Sequence, residues 1–331
     1  MRMRFNIVGL AVRRRGLCSA AHAVGIPVRS PRDGAVFTTI PDLSTSEVDD
    51  LVVAATACEN SSWAKPSAVE SRAESLRALA TVLRRDIESL ARLESIDCGK
   101  PIVESRVDIG TCADLCDYYA KIAPAALAPQ PLKVPDDAFV SHIVPSAAGV
   151  VAGVTPWNFP LMQAVCKVAP ALAAGCPMVL KPSPLASLTC IELARLGEAE
   201  AGLPPGALSV VTGGPPDGSA DGAARLLEHP DVAFLSFTGS TRGGREMLAA
   251  SAPLTRRSSL ELGGKGAMVV FEDADIASVV DWAMVGIFVT AGQICSATSR
   301  LLVHTSIAPK LLAELERAAR AIRTGDLPPT S

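Results

Sequence analysis

The sequence predicts an α/β protein: a doubly wound parallel sheet with helices on both faces, followed by the start of a second α/β unit. Two observations predict it. From Val150 onward, short β-branched or apolar runs alternate with helical segments four times over. Before Val150 the apolar residues recur at helical spacing instead. With 331 residues, 49% hydrophobic, and a mean hydropathy of +0.31, the chain has the apolar content for a large core and is not a disordered polypeptide.

Residues 1–32 hold seven arginines and no acid, leaving 24 basic against 34 acidic residues in the rest. An Arg-rich, acid-free start reads as an organelle-targeting peptide, mitochondrial or plastid, with a cytoplasmic protein as the alternative. The net charge of −3 gives no reason to expect nucleic acid. No apolar run reaches the roughly 18–20 residues of a membrane span, because Lys167, Pro170 and Pro177 interrupt the longest one. Nine scattered cysteines without CxxC spacing argue against a disulfide framework or a zinc site. Four histidines, none in HxxxH spacing, offer no metal centre.

Ser44 and Glu47 form a capping-box signal ahead of Val48, Leu51, Val52 and Ala55, and Ser67 with Glu70 repeats it ahead of Leu76, Leu79, Leu83 and Ile87. The second of these helices is expected to end at Gly99 and Pro101. A third helix over 102–121 and a Pro-rich link lead to a strand near 138–144. Strands then follow at 149–154, 177–181, 207–212, 232–237 and 258–262, with helices at 160–174, 187–201, 219–228 and 241–251. A strand at 267–271, a helix at 275–289, a strand at 300–304 and a helix at 306–323 begin the second unit. The division expected is a leader at 1–32, a helical part at 33–137, arm strands at 138–152, a ligand-binding core at 153–262 and a further domain at 263–331.

Ligands of such sheets bind beyond the carboxyl ends of the strands. The first strand is followed by Thr155, Pro156, Trp157 and Asn158, whose amide either stabilises an oxyanion in a cleft or caps the helix starting at Pro160. Lys181 and Ser183 follow the second strand. The fourth runs into Gly239, Ser240 and Gly243, which make either a pyrophosphate seat at a helix N-terminus or an ordinary glycine turn with a helix cap. The fifth carries Glu261 between Leu260 and Leu262; an acid there points into a polar cleft, where it suits a general base, or is salt-bridged. Cys295 lies in a Gly-containing loop after an apolar helix expected to be buried, as an activated thiol or a small hydrophobe.

The segments PWNFP, KPS, FTGS, ELGGK and GQICSATSR, in this order, resemble the aldehyde dehydrogenase superfamily, most closely its plant-type betaine aldehyde and aminoaldehyde members. The resemblance runs from about Phe37 to about Leu327. It implies an NAD-binding domain, with NADP possible, and an NAD(P)-dependent oxidation of a small aldehyde to an acid. In that reaction Cys295 is the nucleophile, Asn158 the oxyanion donor and Glu261 the base that activates water. It also implies that Trp157, Lys181, Ser183 and Ser240, with Thr155, Pro156, Gly239, Gly243 and Leu262 around them, contact the dinucleotide. An arm at 138–152 pairing subunits into a homo-oligomer is implied as well. Pro184 stands where the plant-type family has a ribose-binding Glu, which blurs the preference for NAD over NADP. Cys166 and Val289 replace two Trp of betaine-aldehyde enzymes, leaving Phe159 as the aromatic there, so betaine aldehyde is expected to be a poor substrate. The sequence stops at Ser331, 36 residues past Cys295, before the rest of the family's catalytic domain. The competing expectation is therefore an impaired fragment or pseudoenzyme that binds a dinucleotide or pairs subunits.

Overall fold

The computed structural model describes residues 25–135, 138–213 and 221–325. An antiparallel hairpin opens them: β1 (Gly25–Arg29) and β2 (Val36–Pro41) turn through Asp33, whose carboxylate accepts the Ala35 N–H at 3.0 Å. Val28 and Ile40 bury their side chains with Leu188, so the hairpin is packed onto the body of the protein. The leader expected over 1–32 therefore overlaps a folded strand at its last residues, and residues 1–24 lie outside the described ones.

The Ser44 and Glu47 box forms as read, with the Glu47 carboxylate accepting the Ser44 N–H at 3.0 Å, and it starts α1 (Thr45–Glu59). The second box does not form. Ser67 lies in a 3-10 turn over Pro66–Ala68, and α2 (Val69–Arg85) begins without a side-chain cap. The single helix expected up to Gly99 is broken at Asp86 (φ −99°, ψ 15°), and α3 (Ile87–Cys98) continues from there. Gly99 ends it at φ +77°, the left-handed geometry a C-terminal glycine supplies. Next, α4 (Ile102–Ala126) runs 25 residues and takes Pro124 into its last turn, so the link begins later than expected. A strand absent from the sequence reading, β3 (Gln130–Leu132), pairs with β4 (Ser141–Ile143). Of the expected arm at 138–152, only residues 141–143 belong to this pair.

Residues from Val150 on belong to the central sheet, in which β5 (Val150–Thr155), α5 (Pro160–Ala173), β6 (Met178–Pro182), α6 (Leu188–Ala199), β7 (Leu208–Val210), α7 (Asp221–Glu228), β8 (Val232–Gly239), α8 (Thr241–Ser251) and β9 (Arg257–Leu262) alternate. Every pair in it is parallel and the order is β7-β6-β5-β8-β9. Buried side chains from α2, α3, α4, α5 and α6 fill one face, among them Leu76, Leu83, Ile109, Leu161 and Leu193. Val48, Val52, Leu226 and Met247, from α1, α7 and α8, fill the other. Strand order reverses between β5 and β8, which opens a crevice beyond their carboxyl ends.

The second unit comprises β10 (Ala267–Val270), α9 (Ile276–Phe288), β11 (Arg300–Val303) and α10 (Ala308–Arg320), with β10 and β11 parallel. Its apolar helix α9 is not buried as expected: Trp282 is 66% exposed and Ala283 is its one buried residue. The reason is that a two-stranded sheet and one neighbouring helix cover too little of its surface.

Candidate active site

The crevice collects backbone from both units. After β5 the chain passes Thr155, Pro156, Trp157 and Asn158 before α5 begins. The N-cap of α5 is Phe159 and makes no side-chain cap bond, so Asn158 does not serve as the helix cap. Its amide instead donates to the Gln293 carbonyl at 2.6 Å, joining residues 135 positions apart.

That carbonyl belongs to the loop carrying Cys295. Thr290, Ala291 and Gly292 turn the chain in the left-handed region at φ +51°, +53° and +77°, the Gln293 N–H and side-chain amide both return to the Thr290 carbonyl (3.1 and 3.0 Å), and Cys295 emerges exposed. A thiol sealed among hydrocarbon would have been the inert alternative. Strand β9 brings Glu261 opposite Thr238 of β8, exposed at the sheet's carboxyl end. Three residues on, Gly264 lies so close that a side chain there would stand 3.4 Å from the Cys295 carbonyl. The glycines after Glu261 thus let its strand end run against the nucleophile loop. Asn158, Glu261 and Cys295 come from three separate elements, which the Asn158–Gln293 bond and the approach of Gly264 to the Cys295 carbonyl bring together.

Around this crevice the residues expected to face a dinucleotide occupy strand ends. Ser240 caps α8, accepting the Gly243 N–H at 3.1 Å, and the Phe237 ring packs so tightly beneath Gly239 and Gly243 that a Cβ at either would fall within 3 Å of it. The helix-cap reading of this turn therefore holds. The exposed N-terminus of α8 stays open to an anion. Leu262 packs against Gly244, Thr155 is buried, and Pro156 and Trp157 are half-buried. Lys181, at the end of β6, donates to the Pro182 carbonyl at 3.3 Å; burial pushes its ammonium down to about 8, and no acid pairs with it among the described residues. Ser183 accepts the Leu185 N–H at 3.3 Å. An open helix N-terminus beside glycines after β8, with Lys181 at the end of β6 on the other side of β5, fits the phosphates and sugar of a dinucleotide. Among the described residues no cluster of three His, Cys, Asp or Glu is arranged to hold a metal, and no helix is long and apolar enough to cross a membrane.

Three site-lining groups escape a reading of the sequence. Lys167 donates to the Ser236 hydroxyl at 3.2 Å; burial lowers its ammonium to about 8, opposed by the charges of Cys166 and Glu261. Its signal was present, as the single cation in apolar α5. Glu104 gave none, because its partner Thr290 is 186 residues away, and Gln293, although in the GQICSATSR segment, meets Asn158 from 135 residues away.

The family model of the aldehyde dehydrogenases matches residues 19–330. The chain belongs to the aldehyde dehydrogenase family. Within it, the chain is 45% identical over 307 residues to a peroxisomal aminoaldehyde dehydrogenase 2 of Pisum sativum, covering 91% of this chain and 60% of the relative. The chloroplastic betaine aldehyde dehydrogenase of Beta vulgaris is 44% identical with the same coverage. A betaine aldehyde dehydrogenase variant of Staphylococcus aureus, solved with NAD+, superposes with a TM-score of 0.87 at 33% identity, covering 93% of this chain and 61% of that one. This aldehyde dehydrogenase chain thus spans about 60% of the length of the curated relatives it matches. The α/β fold read from the sequence is the family's fold.

Proposed function

We propose that the chain carries out NAD(P)-dependent oxidation of a small aldehyde to a carboxylic acid. The observation that carries this reading is the 2.6 Å bond from the Asn158 amide to Gln293, two residues from an exposed thiol. The Cys295 thiolate adds to the aldehyde carbon, and the carbonyl π pair moves to oxygen. The second Asn158 N–H and the Cys295 backbone N–H hold the resulting oxyanion. Nicotinamide, when bound, supplies the acceptor for the hydride that leaves that carbon. The thioester left on Cys295 is hydrolysed by water that gives its proton to Glu261, which frees the acid and restores the thiol. Thr155, Pro156, Trp157, Lys181, Ser183, Gly239, Ser240, Gly243 and Leu262 surround the dinucleotide in this reading.

The expected substrate is an aliphatic or amino aldehyde, since Cys166 and Val289 offer no aromatic face to a trimethylammonium group. Pro184 offers no carboxylate to repel a 2′-phosphate, so the cofactor preference is weak. Relatives are described as peroxisomal or chloroplastic, and residues 1–24 hold five arginines and no acid, which supports import into an organelle; the protein also pairs into a homo-oligomer in this reading. Recovery of the protein from the cytosol alone, with Met1 in place, would overturn the organelle assignment.

The test is absorbance of reduced cofactor with a panel of aldehydes. Activity is expected with both NAD and NADP, lower kcat/KM for betaine aldehyde than for an unbranched aldehyde, and a loss of about 10³-fold or more in Cys295→Ala. Wild-type rates in Cys295→Ala would remove the thiol from the reaction. No turnover with any aldehyde, alongside quenching of Trp157 by NAD, would favour a dinucleotide-binding module instead.

A further inference from the structure

Three residues in succession, Thr290, Ala291 and Gly292, hold left-handed backbone just ahead of the thiol. Glycine takes this geometry freely, whereas a β-branched residue resists it, and Thr290 is moreover buried, with 3% of its surface exposed. Something outside the loop must hold it there. The holding group is Glu104 in the first turn of α4, whose Oε2 accepts both the Thr290 N–H at 2.8 Å and the Thr290 hydroxyl at 3.1 Å. On the far side of the same turn, the Gln293 side chain donates back to the Thr290 carbonyl at 3.0 Å while the Gln293 carbonyl receives the Asn158 amide at 2.6 Å. Helix α4 is anchored independently of the loop, through buried Ile109, Cys112, Ala113 and Cys116.

We infer that Glu104 is a positioning residue: it keeps the Thr290–Gly292 turn left-handed so that Gln293 meets Asn158 and Cys295 opens onto the crevice. Without it, Thr290 and Ala291 relax toward ordinary backbone geometry, Gln293 rotates away from Asn158, and the thiol no longer has a fixed place beside the oxyanion donor. The inference rests on the reading of Cys295 as nucleophile for its consequence in catalysis, and on the hydrogen bonds alone for its consequence in the loop. Glutamine at this position preserves the hold, since its carbonyl oxygen, in the place of Oε2, accepts both the Thr290 N–H and the Thr290 hydroxyl.

Hydrogen exchange followed by peptide mass spectrometry on the full chain tests the loop without requiring activity. Glu104→Ala is expected to speed exchange across residues 289–297 by about tenfold while exchange in β8, β9 and the buried half of α4 stays as in the wild type. Glu104→Gln is expected to stay within about threefold of the wild type. In an Ala291→Gly background, where left-handed backbone carries less strain, the effect of Glu104→Ala is expected to shrink to about threefold. For turnover, Glu104→Ala is expected to lower kcat by about tenfold with little change in KM. Unchanged exchange at 289–297 in Glu104→Ala, an increase spread evenly over α4 and the sheet, or a Gln variant no better than Ala would each overturn the inference. Loss of the exchange effect condemns the anchor, whereas full activity of Cys295→Ala condemns the nucleophile and leaves the anchor intact.

Discussion

Exchanging Glu261 for glutamine is expected to leave one rapid equivalent of reduced cofactor per chain and then suppress steady turnover by about 10²- to 10⁴-fold. Glutamine keeps the size of the side chain but accepts no proton from water, so addition and hydride loss proceed while the thioester persists. The side chain is exposed and makes no ion pair among the described residues, so thermal unfolding should be the same in both proteins. The substitution also reaches Lys167. The negative charge of Glu261 helps hold up an ammonium that burial has lowered to about 8, and its removal lowers that ammonium further. An acylated Cys295, seen as a mass increase after stopping the reaction with acid, would place the block at hydrolysis. Turnover at the wild-type rate would take Glu261 out of the mechanism, and a missing burst would assign it an earlier step.

The central sheet was legible because each of its strands and helices carries its own signal. The runs at Val150–Thr155 and Val232–Gly239 are short, apolar and followed by polar turns, and parallel strands buried on both faces read this way. The three residues proposed for the chemistry stand out because Asn158 follows a strand end, Glu261 is an acid between two leucines near the end of its strand, and Cys295 sits in a Gly-containing loop. What stayed hidden depends on tertiary partners. The β1–β2 hairpin owes its place to docking Val28 and Ile40 on Leu188, a partner distant in sequence. The break at Asp86 is hidden by apolar spacing that runs on through it. In the same way, Ser67 and Glu70 have the right spacing for a cap, yet Pro66 starts a tighter turn that occupies Ser67 first. Exposure of α9 contradicts its composition, since an apolar helix is normally buried all round. Glu104 and Thr290 are 186 residues apart, a pairing that no local pattern announces.

The largest effect on stability is expected from Lys100→Met. The Lys100 ammonium is fully buried, pairs with Asp108, stands 3.7 Å from Glu94 Oε1 and lies 3.7 Å above the Phe159 ring. The far oxygen of Glu94 accepts the Leu161 N–H at 3.2 Å, in the first turn of α5, so this buried charge group supports the segment that presents Asn158. Methionine fills a similar volume but leaves Glu94 and Asp108 without a cation, and stranding buried charge in this way costs about 3–5 kcal/mol. The cost depends on pH with a definite sign. Burial raises Glu94 and Asp97 to about 7, well above unfolded carboxylates, so the folded chain binds more protons than the unfolded chain between about pH 4 and 7. Wild-type stability should therefore fall as pH rises through that window, by up to about 1.4 kcal/mol per pH unit for each group. Removing Lys100 raises Glu94 and Asp108 further, so the deficit of Lys100→Met should be greatest above pH 7 and shrink toward pH 5, where both carboxyls are closer to neutral. Glu94→Gln should flatten the wild-type slope. Urea unfolding at pH 5, 6, 7 and 8 reads all three proteins, and a Lys100→Met deficit below about 1 kcal/mol at pH 7, or one that grows on acidification, would show that the buried lysine is not the counter-charge of this cluster.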